Sequence, residues 1–134
     1  MTKEEKIKYW TDLSERDLQV AEMLVNGKQF LWAGFMCHQV IEKIFKGYYT
    51  ALTDETPPFR HELDLIAKRG EFYEMLSTEH TTFLDILNPL QIEARYPAYK
   101  DRISKTLNQA VCEKIWEQTK SLHQWTKEQI LSIK

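Results

Sequence analysis

Four basic residues crowd into one short stretch of this chain: Arg95, Lys100, Arg102 and Lys105 stand within "ARYPAYKDRISK". Asp101 is the only acid among them, so the local charge is +3 in a chain whose formal net charge is −2. A guanidinium can fork onto a phosphate, and a tyrosine ring such as Tyr96 can stack on a base. Pro97 suits the first turn of a helix and pushes Tyr96 out of helical geometry. Arg95 and Tyr96 are therefore expected at a corner, beside free N–H groups and a positive dipole end that favour an anion. The ordinary alternative is a capped turn, with Arg95 bonded to a neighbouring carboxylate and Tyr96 packed.

Other reactive groups are sparser. His38 and Glu42 lie one helical turn apart, but two ligands do not make a metal site, and a buried histidine is the simpler reading. His61, His80 and His123 sit on separate segments without ligand spacing. No metal or cofactor is expected. Neither GxGxxG nor GxxxxGK[ST] occurs, and no nucleophile motif supports Ser/His/Asp or Cys/His catalysis. Asp17 falls on the apolar stripe of a helix, where an unpaired charge is costly. It either reaches solvent or pairs with a cation of another helix, Arg95 being the first choice.

The elements that must position these groups are helical. A chain of 134 residues with 43% hydrophobic content suits one domain, 1–134. Helices are predicted over Lys3 to Val25, stopped by Asn26-Gly27, and over Gln29 to about Leu52, broken by "TDETPP". A short helix begins near His61, with Leu63, Ile66 and Ala67 inward and Gly70 at its end. Another runs from Ser77 or Thr78 to Leu87, where Asn88-Pro89 disturbs it. The last begins near Pro97 and runs to the C-terminus, with Ile103, Leu107, Val111, Ile115, Leu122 and Trp125 on its inner face. The fold class is thus all-α, an up-and-down bundle of three long helices and one or two short ones.

The second helix is apolar around most of its circumference, with only Gln39, Glu42 and Lys46 as a polar strip. It is either the central helix of the bundle or part of a dimer interface, and both can hold together. Cys37 and Cys112 stand alone and read as reduced core thiols. The start, "MTKEEKIKYW", has no apolar signal core, and "FLWAGFM" is too short to span a bilayer. A cytoplasmic protein without membrane contact is expected.

The order of Trp10, Asp17-Leu18, Ala21, Gly27, Phe35, Gln39, Glu42-Lys43, Lys46, the Pro57-Pro58 to His61-x-Leu63 turn and Ala94-Arg95-Tyr96-Pro97 resembles the prokaryotic, nucleotidyltransferase-associated HEPN domain family. The resemblance covers nearly the whole chain. It implies a helical bundle that forms homodimers, binds nucleotide or RNA, and acts beside a minimal nucleotidyltransferase, in some cases as a toxin–antitoxin pair. Many members are metal-independent ribonucleases that use an Arg, four to six residues, then a His. Here those positions after Arg95 are Lys100, Asp101 and Arg102, so the activity is not carried over. Arg95 carries over as an anion contact, with Tyr96, Lys100, Arg102 and His61 as supporting ligand contacts. Alternatives are a divergent ribonuclease using Arg95 with Lys100 or His61, and a non-catalytic adaptor bundle.

Overall fold

The computed structural model of the chain describes residues 1–93 and 105–133. Arg95, Tyr96, Lys100, Arg102 and the expected helix start at Pro97 lie outside the described residues. Within them the fold is all-α. It comprises α1 (Lys3–Asn26), α2 (Phe30–Leu52), α3 (Leu63–Arg69), a 3₁₀ turn at Tyr73–Met75, α4 (Thr78–Glu93) and α5 (Gln109–Leu131).

Helix α1 starts on a capping box. The Thr2 hydroxyl accepts the Glu5 N–H at 3.1 Å and the Glu5 carboxylate accepts the Thr2 N–H at 3.0 Å. The turn that reverses the chain uses Lys28 at φ 60°, not Gly27, for its left-handed residue. Helix α2 then runs back along α1. Ser14 donates to the Val40 carbonyl at 2.8 Å, and Gly47 faces Trp10 so closely that a Cβ there would sit 3.3 Å from the Trp10 Cβ.

Helix α2 packs against α1, α3, α4 and α5. This central place covers most of its apolar circumference, while Trp32 stays 43% exposed. Val40, Ile41, Ile44 and Phe45 are fully buried, and Phe72 meets Phe45 edge-on at 5.1 Å between ring centroids. Cys37 and Cys112 are free and buried within the same core.

Two expectations about the later helices need correction. Helix α4 does not falter at Asn88-Pro89 but continues to Glu93. Pro89 and Asp85 are both exposed, so the carbonyl that a proline cannot serve meets water instead of a dry core. Asn88 acts across helices, accepting the Leu63 N–H at 2.9 Å and donating to the Asp64 carboxylate at 3.0 Å. The final helix, in turn, is not continuous from Pro97. Leu107 and Asn108 are non-helical, and Asn108 caps α5 by accepting the Val111 N–H at 3.0 Å. Val111, in the first turn of α5, is 39% exposed, whereas Ile115 and Leu122 are buried as expected.

Candidate functional site

The polar strip of α2 is the described part of the molecule where chemistry concentrates. Glu42 is buried, its side chain 3% exposed, and its two oxygens have different partners. Oε2 accepts from Lys46 Nζ at 3.1 Å, four residues along the same helix. Oε1 accepts from His61 Nδ1 at 3.0 Å, across from the segment that leads into α3. Burial alone would raise the Glu42 carboxyl, but the Lys46 charge and the hydrogen bonds from His61 and Lys46 outweigh it and hold it below its ordinary range. Lys46 is almost as buried, and its ammonium also lies 5.6 Å from the centroid of the Trp10 ring.

Because a carboxylate only accepts, the bond from Glu42 places a proton on Nδ1 of His61. The other ring nitrogen, Nε2, belongs to a side chain 54% exposed. A half-exposed imidazole fixed through Nδ1 by a buried carboxylate is an arrangement suited to proton transfer. His38 plays a different part. It is fully buried, its Nε2–H donates to the His61 carbonyl at 3.0 Å, and burial pushes its pKa down to about 4. The ring is neutral at pH 7, so the 3.7 Å approach of its Nδ1 to Glu42 Oε1 is not an ion pair. His38 thus fixes the backbone at His61 while Glu42 fixes the ring.

Asp17 lies 3.7 Å from Lys43 of α2, each side chain about one-fifth exposed. Burial raises the Asp17 carboxyl and Lys43 partly offsets this. Lys43 also donates to the Gln39 side chain at 2.9 Å. The cation facing Asp17 among the described residues is therefore Lys43; Arg95, the first choice, lies outside them. The remaining histidines stand apart from this strip. His80 packs on Trp125, and His123 is buried 3.9 Å from Glu15. Among the described residues no three His, Cys, Asp or Glu side chains are placed to hold a metal ion. No helix there is long and apolar enough to cross a membrane.

Of the anticipated site residues, the structure brings His61 onto α2, beside Glu42 and Lys46. In the sequence those two read as polar interruptions of an apolar helix, Glu42 also as a one-turn neighbour of His38, and both stand among the residues that carry the resemblance. Nothing in the sequence joins Glu42 to His61, nineteen residues later.

The fold and this buried polar strip define an all-α bundle organised around one central helix. The HEPN domain family model matches residues 7–130, and the chain belongs to that family. Among solved structures, TT1696 from Thermus thermophilus is similar, with a TM-score of 0.78 over 92% of this chain and 97% of that one. At 16% identity that likeness bears on the fold alone. No curated protein gives a significant match.

Proposed function

We propose that residues 1–134 form one HEPN-type module that binds nucleotide or RNA, works as a cytoplasmic homodimer, and acts with a minimal nucleotidyltransferase partner in a toxin–antitoxin type of pair. The observation that carries this reading is the local charge of +3 from Arg95 to Lys105 in a chain of net charge −2. Such a cluster offers anion contacts without the general positive field of a nonspecific nucleic-acid coat. Arg95 is the primary contact, with Tyr96, Lys100 and Arg102 supporting it. The module acts by binding, because the spacing that the family's ribonucleases require ends here on Lys100, Asp101 and Arg102.

Thermal unfolding tests the reading. A ligand at a hundredfold excess over Kd adds about 2.7 kcal/mol of stability, which moves Tm by several degrees. ATP, other nucleotides or a short RNA should raise Tm of the wild type, and the shift with RNA should be lost in Arg95→Ala. An unchanged Tm with every ligand, and no protein retained on a nucleotidyltransferase partner, would remove the ligand and partner assignments together.

One observation favours a second reading, a divergent metal-independent ribonuclease: the Glu42 carboxylate on Nδ1 of the half-exposed His61. In that reading His61 is the proton-transfer group and Arg95 the phosphate contact. RNA cleavage that survives in both His61→Ala and Arg95→Ala would exclude it.

A further inference from the structure

At the opposite end of α2 from the α1–α2 turn, the start of α1 and the segment after α2 enclose a cleft of about 320 Å³. Tyr9 and Trp10 form its aromatic corner, with ring centroids 5.3 Å apart and planes at 80°. Trp10 is seated firmly, since Gly47 leaves just enough room for it against α2 and the Lys46 ammonium lies near its ring. Tyr9 is 49% exposed and free to meet a ligand. The far wall has a defined shape as well. Thr53 Oγ1 donates to the Tyr49 carbonyl at 3.0 Å and accepts the Glu55 N–H at 3.2 Å, while the Tyr49 hydroxyl donates to Glu55 Oε2 at 3.3 Å.

The rim sets Lys3 and Lys6 against Asp54 and Glu55, beside Met1. Lys3 reaches Asp54 at 3.3 Å across the mouth, but these side chains are 47% and 95% exposed. An ion pair so open to water is weak and yields readily to a ligand. Lys6 has no such partner among the described residues.

We propose that this cleft binds a single nucleotide unit, its base stacked in the Tyr9–Trp10 corner, its ribose hydroxyls on Asp54 and Glu55, and its phosphate on Lys6. Each part of the lining has a use for one part of that ligand. An aromatic corner takes a planar heterocycle of either base class, carboxylates accept from vicinal hydroxyls, and an exposed lysine donates to a phosphate as a point charge. A purely anionic ligand would find the two carboxylates repulsive, and a purely apolar one would leave the rim unused. The volume stands at the small end for ligand sites and admits one nucleotide rather than a helix. The proposal rests on the nucleotide-binding reading but places a second site away from Arg95.

The experiment follows tryptophan fluorescence on titration with AMP, with ribose 5-phosphate and with a short 5′-phosphorylated RNA. It uses the wild type, Lys6→Glu, Tyr9→Ala and Arg95→Ala, each checked for helicity by circular dichroism. Lys6 and Tyr9 are exposed, so their replacement leaves the core intact. AMP should quench the wild type, bind at least tenfold more weakly to Lys6→Glu and Tyr9→Ala, and bind unchanged to Arg95→Ala. RNA that displaces AMP would identify the occupant as the terminal nucleotide of a strand; RNA that binds without displacing it would identify a free nucleotide. Ribose 5-phosphate binding as tightly as AMP overturns the stacking role and with it the proposal. AMP binding lost in Arg95→Ala and intact in the two cleft variants overturns the cleft while leaving the nucleotide reading in place. RNA binding through Arg95 with no AMP binding anywhere does the same.

Discussion

Glu42 divides its carboxylate between Lys46 on its own helix and His61 on a distant segment, and it does so out of water. Removing one member of such a group leaves the other charge buried without compensation, which is more damaging than replacing the whole set with apolar residues. Glu42→Gln should therefore destabilise the fold by roughly 3 kcal/mol, read as a lower urea midpoint at pH 7. A change within a few tenths would mean that Lys46 finds water in the fold. His38 predicts a pH dependence. Its pKa falls from 6.5 to about 4 on burial, so the unfolded chain binds more protons between those values and stability drops as pH falls through that window. Below it, protonation of the depressed Glu42 carboxyl adds to the loss. Denaturation between pH 7 and 4.5 should give a falling stability whose slope is shallower in His38→Gln; identical slopes would contradict a neutral, buried His38.

At the scale of elements, the structure depends on side chains that work between helices. Asn88 is the clearest case, because its amide serves both the first N–H of α3 and the Asp64 carboxylate. Asn88→Ala should cost about 1 kcal/mol, in the range of other lost helix caps. Amide exchange should accelerate first in α3, and uniform acceleration through the bundle would argue against this local role. The same residue explains what the sequence conceals. Asn-Pro reads as a break because proline removes a helical hydrogen bond, but that cost is small on an exposed face, and only packing reveals that Asn88 is needed elsewhere. The ends of α1 and α2 were legible because Asn26-Gly27 and the paired prolines act locally. The start of α5 was not, since Pro97 offered a stronger local signal than the Asn108 cap. Apolar spacing continued from Leu107 into α5 across the real boundary, and Val111 read as inward because it stands four residues before Ile115, although it lies in the exposed first turn.

For the whole molecule, α2 organises everything described. Its apolar faces meet four other helices, and its polar residues collect Asp17 through Lys43 and His61 through Glu42. The sequence revealed this helix as one that must be covered on several sides, and the bundle covers most of it, Trp32 excepted. The pairing of Glu42 with His61 could not be read in advance, because it depends on how the Pro57-Pro58 turn folds back on α2. The basic cluster from Arg95 to Lys105 was legible from composition alone, as charge is a local property of the chain. The functional account assigns that cluster to anion binding, and the assignment is electrostatic, so salt tests it most directly. Fluorescence anisotropy of a labelled single-stranded RNA should be measured with the wild type and Arg95→Ala from about 50 to 200 mM salt. Neutralising about three phosphates predicts a slope of log K against log salt near −2, and losing one contact makes it shallower by about 0.7. Arg95→Ala should bind more weakly with that reduced slope. Equal affinity and equal slope in the two proteins, or no RNA binding by the wild type at the lowest salt, would contradict the account.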